Sequence, residues 1–178
     1  GFEGAKQGAI DAWKDGIMTR GVLLDVPRHR GVPYVEVGSP VHVWELEEIA
    51  KAQGVEPGPG DALLLYCGRE AYAADHGGIF YDGSNYPGVH PSSLKFLRDR
   101  DVALIVWDMS DEPIFEYGKS RSIHAVLSSF GMAIVDNALL EPLAKACAEE
   151  GSYEFMLTIN PLVIAGGTGS PVTPVATF

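Results

Sequence analysis

The chain has 178 residues, enough for one domain with a real core, and its composition is that of a globular protein, 46% apolar and 21% charged. The net charge is −11 and the pI about 4.7, which argues against nucleic acid or an anionic membrane surface as the main partner, since both demand clustered Lys and Arg. No apolar run approaches the ~20 residues of a membrane span, and the start does not read as a signal peptide.

In chain order, Ala5 to Lys14 reads as a helix with Ile10 and Trp13 on one face. GVLLDV, from Gly21 to Val26, is a short apolar run that reads as a buried strand stopped by Pro27. Arg28-His29-Arg30, the one dense basic patch, reads as a solvated loop or an intersubunit contact. Val43 to Gln53 alternates Trp44, Leu46, Ile49 and Ala50 with Glu45, Glu47, Glu48 and Lys51, the pattern of an amphipathic helix, with Gly54 placed to end it. PGPGD then turns the chain into ALLLYCG, a second buried strand.

Gly77 to Pro91 is a long loop rich in Gly and aromatics, of a length associated with function in a small domain. Ser92 to Arg100 reads as a helix capped by Ser92 or Ser93, and VALIVWD, Val102 to Asp108, is the strongest strand signal in the chain. After a polar loop, Ile123, Leu127 and Phe130 recur at helical spacing, with His124 one residue off that stripe. Gly131 ends this helix and MAIVD forms a strand closed by Asp136. Glu141-Pro142 opens a helix that runs to about Gly151. SYEFMLTINPLVI supplies one or two last strands, and AGGTGSPVTPVATF closes the chain. Alternating strands and helices make this an α/β protein, without repeats or a second domain.

Several chemistries are unsupported. AGGTGSP has no Lys after its glycines, and Pro171 and Pro174 block a following helix, so it is not a phosphate loop but a tight backbone passage. G-x-G-x-x-G and G-x-S-x-G are both absent. Cys67 and Cys147 sit in apolar patterns and read as buried free thiols, which makes a reducing cytoplasm the default. The five histidines, His29, His42, His76, His90 and His124, form no HxH or HxxxH pair, so the chain alone offers no three-ligand metal site. What remains are single candidates: His124 as a proton carrier, Asp136 at a strand end, His90 in the long loop, and Asp108 at the end of a buried strand, where α/β folds place their sites.

Four stretches taken together, GIMTRGVLLDV, PGVHPSSLKFLRDRDVALIVWD, SIHAVLSSFGMAIVDN and GGTGSPVTPVA, resemble the cyclase family of metal-dependent hydrolases, which includes bacterial kynurenine formamidases and isatin hydrolase. The resemblance runs along nearly the whole chain. It implies a mixed β-sheet flanked by helices, of the swivelling β/β/α type, and a divalent cofactor, Zn or Mn. It implies a hydrolase opening or cleaving a C–N amide or lactone bond of a small, cyclic substrate. The family's early HxGTHxDxxxH metal motif, and its variant with a Trp-Asp pair and a later His, are not in this sequence. The resemblance therefore casts residues 1–178 as the C-terminal part of one domain. The other metal ligands would come from an N-terminal half chain or a homo-oligomer. Residue by residue, it makes His124 catalytic and Asp136, where many members have Glu, a metal ligand. By composition and placement alone, His90, Tyr86 and Asp108 are the substrate-binding candidates, with Tyr81, Tyr86 and His90 of the long loop walling a flat ring. The rival expectation is a non-catalytic scaffold or binding half of such a protein.

Overall fold

A computed structural model describes residues 3–79, 87–112, 123–125 and 129–178. Its centre is one sheet of six strands: β1 (Ile17–Asp25), β2 (Ala62–Tyr66), β3 (Leu104–Trp107), β4 (Ala133–Val135), β5 (Glu154–Pro161) and β6 (Val172–Thr177). The order is β4-β3-β2-β1-β5-β6. β1 to β4 run parallel, whereas β5 returns antiparallel along β1 and β6 antiparallel along β5. β1 is thus the seam of a mixed sheet.

Two apolar layers sandwich the parallel half. On one face Leu24, Leu63, Leu65, Ile105 and Trp107 meet α2 (Val43–Gln53) and α4 (Ser93–Asp99) through Leu46, Ile49, Phe96 and Leu97. On the other face Leu23, Leu64, Leu104 and Val106 meet α5 (Glu141–Glu150) through Ala144 and Cys147, together with Phe155, Leu157 and Ile159 of β5. Coverage on both faces explains why β2 and β3 read as unbroken apolar runs rather than alternating ones. β5 does alternate, because only one of its faces is covered.

Four sequence expectations change. The helix expected over Ala5 to Lys14 is a single 3-10 turn, Ile10–Trp13, with no buried residue to anchor it. Arg28-His29-Arg30 is not a loop but part of a short helix, α1 (Val26–Arg30). There Arg30 forks onto the buried Glu45, with Nε to Oε1 at 2.5 Å and Nη2 to Oε2 at 2.7 Å. α3 (Arg69–His76) was not expected, because REAYAADH buries no residue and carries no apolar stripe. β6 lies in the tail, where an edge position tolerates Pro174. The cap on the fourth helix also differs: the Ser92 hydroxyl accepts from Val43 N at 3.1 Å, capping α2 instead of its own helix. The AGGTGSP segment makes the close passage expected of it, with Ala5 N donating to Gly166 O and Ile10 N to Gly167 O, each at 2.7 Å. No helix among the described residues is long and apolar enough to cross a membrane.

Candidate active site

The carboxyl ends of β3 and β4 lie side by side and set out Trp107 and Asp136. A third element joins them outside the sheet. Val41 bridges to Val89, and Val89 to Asp111, both in parallel sense. This small ladder requires Gly88, because a Cβ there would stand 1.9 Å from Ser110 O. It delivers Asp111 into a fully buried position.

Burying a carboxylate is tolerable only when its oxygens are satisfied. Asp111 Oδ2 accepts Ile123 N at 2.8 Å, while Oδ1 accepts the Ser110 hydroxyl at 3.0 Å and His124 Nδ1 at 2.9 Å. The acid therefore fixes both the backbone that carries His124 and the rotation of its ring. With Nδ1–H committed to Asp111, Nε2 is the outward atom. It meets Asp136 Oδ2 at 3.3 Å. Asp136 Oδ1 in turn accepts the Trp107 indole N–H. His124 is mostly covered, at 17% exposure, whereas the Asp136 side chain is 54% exposed, so the pair opens to solvent on the Asp136 side. The two carboxylates hold a proton on the imidazole and raise His124 to about 9, the Asp111 hydrogen bond contributing most and burial opposing it.

His124 and Asp136, singled out in the sequence, are thus brought into contact. Asp111 was missed. It lies in the polar stretch after β3, and only the ladder through Gly88 and Val89 takes it to the histidine. His124 itself sits on a 3-10 turn, Ile123–Ala125, and the continuation through Leu127 lies outside the described residues.

The other candidates fare differently. Asp108 has no exposure at all. Its oxygens accept the backbone N–H groups of Cys67 at 2.8 Å, Gly68 at 2.8 Å, Arg69 at 3.0 Å and Met109 at 2.9 Å. With both oxygens occupied inside the fold, it clamps the exit of β2 and presents nothing to a substrate. His90 packs against His42 with the rings tilted by 31° and their centres 4.1 Å apart, and its Nδ1 accepts Ser92 N at 3.1 Å. Burial, then the neighbouring His42, lowers its pKa. Among the described residues its link to the site is through the main chain, as the residue after Val89. Tyr86, like Tyr81, lies outside the described residues. Both thiols are buried, and burial pushes Cys67 well above the usual thiol range and Cys147 to about 12, so neither is a nucleophile at neutral pH.

A bare imidazole lone pair and a carboxylate oxygen do not face each other at 3.3 Å without a cation between or beside them, either a proton or a metal. Asp136 Oδ2 has the hard-oxygen chemistry that Zn or Mn takes, so it fits as one member of a donor set, with His124 Nε2 close beside it. Among the described residues no group of three or more His, Cys, Asp or Glu completes such a set.

Comparison with known proteins bears on the fold. Residues 3–111 match the model of the Cyclase family, described as "Putative cyclase". A crystal structure of a novel cyclase superposes with a TM-score of 0.77 at 27% identity, over 96% of this chain and 56% of that one. Isatin hydrolase A from Ralstonia solanacearum superposes with a TM-score of 0.67 at 18% identity, over 89% of this chain and 59% of that one. Isatin hydrolase A from Labrenzia aggregata, bound to benzyl benzoate, gives 0.69 at 18%, over 96% and 66%. At 18% the isatin hydrolases speak for the fold alone. The chain spans less than two thirds of the length of each of these structures. No curated protein matches it. His124 and Asp136 lie beyond the matched residues 3–111. Since the family model takes in well over half of the chain and the mixed sheet follows the solved cyclase almost from end to end, this chain belongs to the cyclase family.

Proposed function

We propose that this chain is the C-terminal part of a metal-dependent hydrolase that opens or cleaves a C–N amide or lactone bond in a small cyclic substrate. The observation that carries the reading is the approach of His124 Nε2 to Asp136 Oδ2 at 3.3 Å, with the buried Asp111 behind the ring at 2.9 Å. The fold likeness to isatin hydrolases, one of them bound to the product analogue thioisatinate, supports the choice of substrate class.

In this reading Asp111 holds one tautomer and one rotation of His124, so that Nε2 points at the reaction. Drawn away from Nε2 onto a metal, Asp136 Oδ2 would release the proton it helps to hold there, and His124 would then take a proton from the attacking water and return it to the leaving nitrogen or oxygen. Asp136 contributes an oxygen ligand, and Trp107 orients its carboxylate through the indole N–H. A bound Zn or Mn would supply Lewis acidity toward the carbonyl and acidify water. The described residues complete no donor set, and in this reading an N-terminal half chain or a second copy supplies the remaining ligands. The cytoplasm is the proposed setting, given two free thiols.

The test is hydrolysis of a panel of cyclic amides and lactones by the intact protein, with Mn²⁺ or Zn²⁺ and then with a chelator. Chelator-sensitive turnover is expected, and His124→Ala should lower kcat on the order of 10²–10⁴-fold. Unchanged turnover in that variant removes His124 from the chemistry. A protein that binds neither ion and hydrolyses nothing is a scaffold, and the enzymatic reading fails.

A further inference from the structure

The proposed ligand Asp136 sits on a three-residue strand, followed at once by a left-handed residue, Asn137, at φ 56°. Short strands fray, and a left-handed conformation is costly for a non-glycine residue, a cost asparagine lessens. Something must hold this corner. The N-terminal side is held by the β3–β4 ladder, which ends at Val135 opposite Val106. On the C-terminal side Ala138 N donates to Trp107 O at 2.9 Å. Between them, Arg69 Nη1 donates to Asn137 O at 2.7 Å and also to Asn137 Oδ1.

Arg69 is itself fixed from the first atom. Gly68, at φ 88°, passes so close to Pro33 that a Cβ would stand 2.4 Å from the Pro33 carbonyl. The three successive N–H groups of Cys67, Gly68 and Arg69 all donate to Asp108. The far edge of the guanidinium donates to Glu70 Oε1, from Nε at 2.9 Å and from Nη2. Only 16% of the side chain is exposed. A planar fork held on both edges transmits position well.

We infer that Arg69 is the positioning residue of the site: it pins the Asn137 peptide, and through it sets where the Asp136 carboxylate points. It does not touch the reacting atoms. The inference rests on the reading of Asp136 as a metal ligand, and gives the buried Asp108 its purpose, which is to anchor the turn from which Arg69 reaches across to β4.

The Trp107 indole N–H reports on the Asp136 carboxylate whether or not metal is bound, so its NMR resonance in the intact protein, identified by its loss in Trp107→Phe, is the first readout. Mn²⁺ affinity by calorimetry is the second. In Arg69→Gln the indole signal should move toward its position in Asp136→Ala, and Mn²⁺ affinity should fall about tenfold or more. Asn137→Gly keeps the left-handed backbone and the carbonyl acceptor, and should stay near wild type in both. Should Arg69→Gln not fold, Asn137→Ala, which loses Oδ1 and disfavours φ 56°, carries the same expectations. An indole resonance unmoved by the Arg69 variant, or by Asn137→Ala in its place, but moved by Asp136→Ala overturns the inference. If the indole moves in the Arg69 variant but Asp136→Ala leaves Mn²⁺ affinity unchanged, the positioning stands and the ligand reading of Asp136 falls.

Discussion

At the scale of single residues, carboxylates in this fold are placed by what surrounds them and not by the sequence next to them. Asp111 and Asp108 lie three residues apart and are both without exposure, yet one faces the histidine and the other faces four backbone donors. Glu112, the residue after Asp111, shows a third situation. Its Oε1 accepts Gly38 N at 3.1 Å, and its buried Oε2 has no partner among the described residues. Burial raises it from the usual 4.5 to about 6, against the pull of Gly38 N–H and Arg30. The folded state therefore binds the Glu112 proton more tightly than the unfolded chain does. The stability this gives is full below about pH 4.5 and is lost as the pH rises through 6. The shift corresponds to about 2 kcal/mol, which partial exposure reduces to about 1 kcal/mol. Glu112→Gln keeps the acceptor for Gly38 and removes the titration. Urea unfolding of the two proteins should show the variant gaining about 1 kcal/mol on the parent between pH 4.5 and 7. A difference independent of pH would sink this account.

At the scale of elements, the parts legible in the sequence were those that bury a periodic face. α2 ends where Gly54 takes a left-handed conformation, as its pattern predicts, and β2 and β3 fall on the two longest apolar runs. The pair His124 and Asp136 was legible through family resemblance, not through periodicity. What was not legible has a physical reason in each case. α3 buries nothing, β6 is an edge strand with a proline, and Asp111 depends on a bridge between segments far apart in sequence. Asp108 was legible as a strand-end acid, but its role was not, since nothing in VALIVWD foretells that β2's exit folds back over it. Its clamp makes a direct prediction. Asp108→Ala leaves four buried backbone donors without an acceptor and should cost about 3 kcal/mol or more in unfolding free energy. A variant of normal thermal stability with only a raised KM would return Asp108 to the substrate.

At the scale of the whole molecule, the sheet outruns its cover. One face of the first half of β1, of β5 and of β6 is left exposed. In register there, Met18 stands opposite Thr158, and Thr158 opposite Val175, with Met18 at 74% exposure and Met156 and Val175 near half. This exposed apolar surface supports the proposal of a partner, whether another polypeptide or a second copy. Native mass spectrometry of the 178-residue chain should give a mass above the 19.1 kDa of one copy, or a stable signal only when a second polypeptide is present. A well-behaved monomer of that mass, folded by calorimetry, would contradict the expectation.

The ladder of Val41, Val89 and Asp111 has a kinetic consequence. It ties the segments before α2, before α4 and after β3 by single bridges, each closing a long loop for little return. The sheet can form without it; the histidine cannot be oriented without it. On the proposed reading, the site is expected to assemble late in folding, after the parallel core, and to come undone early. A molecule can lose its site while still looking folded to any probe of helix or sheet, and activity will decay ahead of structure when the protein is heated or aged.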